Sequence, residues 1–195
     1  MKLLDSYTVT STTQTTDINF NTVFLDNSGY DLFRVYFTWL PNANVGDDSS
    51  LSFYSRPSGT TNTPTVLGDN FYTYAVTDLE NLVDEGENNN ADYLRFYGDN
   101  KGKGDANNPA RRYITGDFTV YNPMNSNIMV SLRGQSHSYF GSGTPTHNHF
   151  EFSGGLDESS VDNNGNHKEV TGIKFAVNNA NAVRAGTYVK IYGLV

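Results

Sequence analysis

The sequence predicts an all-β chain, an antiparallel sandwich of roughly nine or ten short strands with at most one short helix. Three observations predict it. Turn clusters rich in Gly, Asn, Asp, Ser and Pro recur along the whole chain at spacings that suit short strands. The two best-defined segments, residues 30–40 and 169–192, alternate apolar and polar side chains with a period of two. Finally, 13 Tyr and 12 Phe stand against 3 Met and no Cys, which favours an aromatic core on pleated surfaces and excludes disulfides and thiolate metal sites.

In chain order, residues 6–16 form a Thr-rich extended lead-in, and residues 18–25 read as a strand closed by Asp26, Asn27, Ser28 and Gly29. Residues 30–40 are the strongest strand: Phe33, Val35, Phe37 and Trp39 share one face, Leu32, Arg34, Tyr36 and Thr38 the other, and Pro41 ends it. Residues 51–55 are a short strand, followed by a Pro/Gly/Thr-rich loop over 56–64 and a return to β structure over 71–76. Thr77 as cap, acids in the first turn and Gly86 just beyond predict the one helix, residues 78–85, two turns at most.

Beyond the polar run Glu87 to Asn90, residues 93–97 read as a strand and 98–109 as an exposed Gly/Asn/Lys loop. Strands at 112–121, 127–134 and 147–152 follow, the last two separated by the Gly/Ser/Thr-rich stretch 141–145, and then a long loop reaches Asn166. In the final stretch, Ile173, Phe175, Val189 and Ile191 face a core, while Lys174, Tyr188, Lys190 and Tyr192 face outward, giving two strands joined by a loop. No repeat of 20–50 residues recurs, which excludes solenoids and propellers. At 195 residues one domain can bury roughly 70% of its unfolded surface, so a single domain over residues 1–195 is expected; the short strands and turn clusters imply an antiparallel sandwich, of which a jelly roll is the preferred version.

A net charge of −8 and a pI of about 4.8 would repel nucleic acid and anionic membranes, so neither is expected as a partner. The N-terminal residues 1–10 predict neither a signal peptide nor a membrane span, and no Asn-x-Ser/Thr acceptor occurs, which fits synthesis in a bacterial cytoplasm. No Gly-x-Ser-x-Gly elbow, phosphate-binding loop or recognisable carboxylate pair is present. The one constellation with metal-ligand character is His147, His149 and Glu151, which project from the same face of a strand. Glu151 lies too close to His149 for a cupin motif, and the plainer reading places His147 and His149 on a solvent face with Phe150 and Phe152 towards the core. The acidic-amide segments 162–166 and 99–105 lack the Gly and Glu spacing, or the absence of lysine, that calcium needs, and Arg111 with Arg112 is too small a basic patch for nucleic acid. No catalytic, cofactor-binding or metal-binding residue is therefore assigned.

The final stretch resembles the end of a family of tailed-bacteriophage virion proteins built on a jelly-roll sandwich. The residues that carry the resemblance are Gly172, Ile173 and Phe175, then Ala185, Gly186, Thr187, Ile191, Tyr192, Gly193 and Leu194. Residues 7–10, 30–40 and 116–122 with Pro123 fit the same pattern in order, so the resemblance spans nearly the whole chain as spaced strand signatures. It implies a virion structural protein, either a capsid decoration (cement) protein that binds the major capsid protein and stabilises the outer shell, or a tail or fibre component that binds a receptor or carbohydrate. It also implies a homotrimer on the capsid surface, made in the host cytoplasm. The absence of coiled-coil heptads and of a repetitive shaft favours decoration; a binding module and a jelly-roll enzyme are the other classes. Far-UV circular dichroism should show helix well below about a fifth, against the usual share of roughly a third.

Overall fold

The computed structural model describes residues 1–11, 17–40, 49–55, 65–66, 71–76, 86–91, 113–141, 145–156, 166–177 and 183–195. These residues are all-β, with no helix among them, and their strands form two antiparallel sheets. The larger runs in the order β1 (Lys2–Thr8), β12 (Tyr188–Leu194), β3 (Leu32–Trp39), β8 (Tyr113–Tyr121), β9 (Ser131–Gly141), β10 (Pro145–Leu156), β6 (Phe71–Val76) and β7 (Gly86–Ala91). The smaller runs β2 (Asp17–Phe20), β11 (Val170–Val177), β4 (Ser49–Ser55) and β5 (Thr65–Val66). Four pairings are nested: β1 with β12, β2 with β11, β3 with β8, and β4 with β5.

Alternation decides which residues meet between the sheets. From the larger sheet come Phe33, Val35, Phe37 and Trp39 of β3, Val189 and Ile191 of β12, and Ile114, Phe118 and Val120 of β8, all buried. The smaller sheet answers with Ile173 and Phe175 of β11, Leu51 and Phe53 of β4, and Ile18 and Phe20 of β2. Phe175 lies among three rings of the opposite sheet, with centroids 6.0 Å from Phe37, 5.9 Å from Trp39 and 6.2 Å from Phe118. Aromatic pairs at such distances add about 0.5–1.5 kcal/mol each beyond the area they bury. Gly134 sits between Phe118 and Phe152 in the register, so those rings approach to 5.9 Å across it.

The core-facing and outward sets expected for β3, β11 and β12 are those observed, and β6 spans the expected 71–76. Three expectations need correction. Residues 18–25 are not one strand: β2 ends at Phe20, and the chain turns, with the Asp26 N–H donating to Thr22 O (2.8 Å) and the Thr22 hydroxyl to Asp26 Oδ2 (2.6 Å). The adjacent Val23 and Phe24 are both buried, which a turn permits and a flat strand does not. Residues 127–130 likewise lie outside the strand, 127 in a turn and 128 in a bend, the Ile128 N–H donating to Asn125 O (3.2 Å), and the strand begins at Ser131. The polar run Glu87–Asn90 is part of a strand, β7, which ends the larger sheet and pairs with β6. The expected helix at 78–85, the strand at 93–97 and the loops at 56–64 and 98–109 lie outside the described residues.

The two last strands lie in different sheets, so the chain between them passes from one layer to the other. Gly172 is buried where β11 passes β2, and a Cβ there would run into the backbone of Phe20 and Asn21. Gly172→Ala must therefore push β2 away from β11. In urea unfolding, Phe175→Ala should lose about 3–5 kcal/mol by emptying the ring cluster. Lys174→Ala, which breaks a partly exposed 2.9 Å ion pair between the other face of β11 and Asp17 of β2, should lose less than about 1 kcal/mol. Equal losses at the two positions would contradict the assigned faces.

Candidate functional site

The face of the larger sheet that points away from the core is covered by no other described element, and antiparallel register lays its side chains out in rows. One row runs Tyr188, Thr38, Thr115, His137, His149; the next Lys190, Tyr36, Asp117, Gln135, Glu151; a third Tyr192, Arg34, Thr119, Arg133, Ser153. The face is thus built from alternate residues of five strands. At its centre Arg34 is ion-paired with Asp117 and donates from Nη1 to the Thr119 hydroxyl (2.6 Å). The guanidinium lies 5.8 Å from the centre of the Tyr36 ring, within reach of its negative face.

Around this pair stand the rings. Tyr36 meets Tyr192 edge to face, centroids 5.7 Å apart at 86°, and Lys190 Nζ lies 5.3 Å from the Tyr188 ring. Tyr36 remains 37% exposed, and Leu3 of the neighbouring edge strand 49%. Fixed rings flanked by cations and hydroxyls can make a broad, specific contact.

At the other side of the face the two imidazoles of His137 and His149 oppose one another across β9 and β10. Their ring centroids are 4.5 Å apart, and His149 Nδ1 lies 3.3 Å and 3.4 Å from the two ring nitrogens of His137. His149 Nε2 lies 3.6 Å from Glu151 Oε1. Partial burial, and secondarily the charge of His149, hold His137 below the ordinary histidine range. Among the described residues no three His, Asp or Glu side chains converge as a metal cluster.

Of the residues singled out in the sequence, His149 and Glu151 share the open face, with Phe152 buried and Phe150 packed against the core, as alternation requires. His147 is opposite Tyr139 in the ladder, and its side chain lies outside the described residues, as do segments 99–105 and 162–165 and the pair Arg111 and Arg112. His137 went unnoticed in the sequence. Its signal is the hairpin register, which pairs Gly141 with Pro145 and is symmetric about residue 143, so that 137 must face 149. No family model, curated protein or solved structure matches this chain.

Protonating His137 is harder in the folded than in the unfolded chain. Above the ordinary histidine range the fold is unaffected; below it the unfolded chain binds more protons, so stability declines with falling pH and levels off beneath the depressed folded value. In chelator-containing buffer, the melting temperature should fall more between about pH 7.5 and 5.5 for the native chain than for His137→Asn. Superimposable curves would remove the claim.

Proposed function

We propose that this chain is a structural protein of a tailed-bacteriophage virion, a jelly-roll domain that decorates the capsid as a trimer and stabilises the shell by binding it. The observation that carries this reading is the nesting of β1 with β12, β2 with β11, β3 with β8 and β4 with β5. One long antiparallel hairpin rolled over itself gives that pattern, with the blocks β1-β12-β3-β8 and β2-β11-β4-β5 in facing sheets. Strands β6, β7, β9 and β10 then widen one sheet beyond β8.

The residues of the C-terminal resemblance have structural tasks consistent with it: Gly172 admits the β2 backbone, Gly193 leaves room for the Tyr30 ring, and Ile173, Phe175 and Ile191 fill the core. Contact is the mechanism. A subunit that binds only the assembled shell stabilises it by its binding free energy, and a symmetric oligomer touching several shell subunits raises that through effective concentration. The Tyr36, Tyr188 and Tyr192 face is the contact surface, because large rings held on an open face are what interfaces concentrate. A second reading, receptor or glycan binding by a tail component, is favoured by one feature of the same face: those rings stand beside Arg34 and Lys190, a combination that also suits sugars.

Light scattering should give about three times the 21.6 kDa chain mass. Purified protein should add back to expanded shells that lack it and raise their disruption temperature. Tyr36→Ser with Tyr192→Ser should weaken shell binding about tenfold or more while leaving the melting temperature nearly unchanged. Adsorption to host cells without affinity for shells would reject decoration in favour of the second reading.

A further inference from the structure

We infer that His137 and His149 form a seat on the open sheet face for a late first-row divalent metal ion, with Glu151 supporting His149 from behind. The inference does not depend on the proposed function. The two residues are directly opposed on adjacent antiparallel strands, so backbone hydrogen bonding, not chain flexibility, fixes the distance between their Cβ atoms. Their ring nitrogens are 3.3–3.4 Å apart. Two imidazoles bound to one tetrahedral ion at about 2.0–2.1 Å must hold their nitrogens roughly 3.3 Å from each other, so the spacing is the one a shared ion requires. The rings are tilted by 42° and His149 Nδ1 is nearly equidistant from the two nitrogens of His137, so the His137 ring must turn to present one of them to a shared ion.

The division of nitrogens on His149 strengthens the assignment. Nδ1 faces His137, while Nε2 faces the Glu151 carboxylate at 3.6 Å. A ligating histidine commonly gives its second ring N–H to a carboxylate, which fixes the tautomer and raises the basicity of the ligating nitrogen. Glu151 is placed for that outer role and sits on the wrong side of the ring to bind the same ion. Two neutral nitrogens select zinc, nickel or copper over calcium or magnesium, which prefer oxygen. With no third His, Asp or Glu converging among the described residues, the remaining coordination positions stay open to exchange.

The test is calorimetric titration of untagged, chelator-treated full chain with zinc chloride, nickel chloride and calcium chloride. One zinc or nickel ion should bind per chain and calcium should give no binding heat. His137→Ala and His149→Ala should each weaken zinc binding tenfold or more, and Glu151→Gln about tenfold. On the unaltered chain, nickel should broaden the imidazole proton signals of His137 and His149 and spare those of His167, a readout that does not depend on any variant folding. Absence of zinc and nickel binding would overturn the inference. So would binding that survives His137→Ala but is lost in His147→Ala, since the ion would then belong to the in-strand pair His147 and His149.

Discussion

Phe175 is the residue on which the two layers depend. It is carried by β11, a central strand of the four-stranded sheet, yet its ring lies among Phe37, Trp39 and Phe118 of the other sheet. An antiparallel sheet holds itself together by backbone hydrogen bonds, but nothing in that ladder binds it to a second sheet; only interdigitated side chains do. Strands β3 and β8 therefore present large rings, and Gly116, Gly134 and Ser136 keep the neighbouring positions low enough for those rings to seat.

The same alternation that fills the core furnishes the open face, so the two cannot vary independently. A slip of one residue in β3 would bury Arg34 and Tyr36 and turn Phe33, Val35 and Phe37 outward. The Arg34–Asp117 pair adds to this restraint. It joins two adjacent strands, so any register that separates the two charges loses the pair. The side chains displayed on this face are thus coupled to folding through register.

Much of the fold was legible where a side chain's face follows from local periodicity. Phe33 to Trp39 and Ile173 to Ile191 declare their burial by alternation alone, and both sets lie where the pattern puts them. Legibility stopped where position depends on partners far along the chain. Nothing in Gly86–Ala91 is strand-like except its place beside β6, and Val23 and Phe24 are apolar in a run that bends because Thr22 and Asp26 close a turn. Of the histidine cluster, His149 and Glu151 were legible because they share a strand, whereas His137 joins them only through a hairpin ladder. The nested pairings are invisible to periodicity for the same reason, because β1 meets β12 across nearly the entire chain.

That nesting carries a kinetic consequence. β12 fills the place between β1 and β3, and β11 the place between β2 and β4, so the larger sheet is not continuous until β12 exists, nor the smaller until β11 does. During synthesis the earlier strands leave the ribosome with the rings of β3 and β8 lacking Phe175 and with the edges of β1 and β3 unpaired. Until the strand pairings with the highest sequence separation close, those rings and open edges are the parts of the chain most exposed to aggregation.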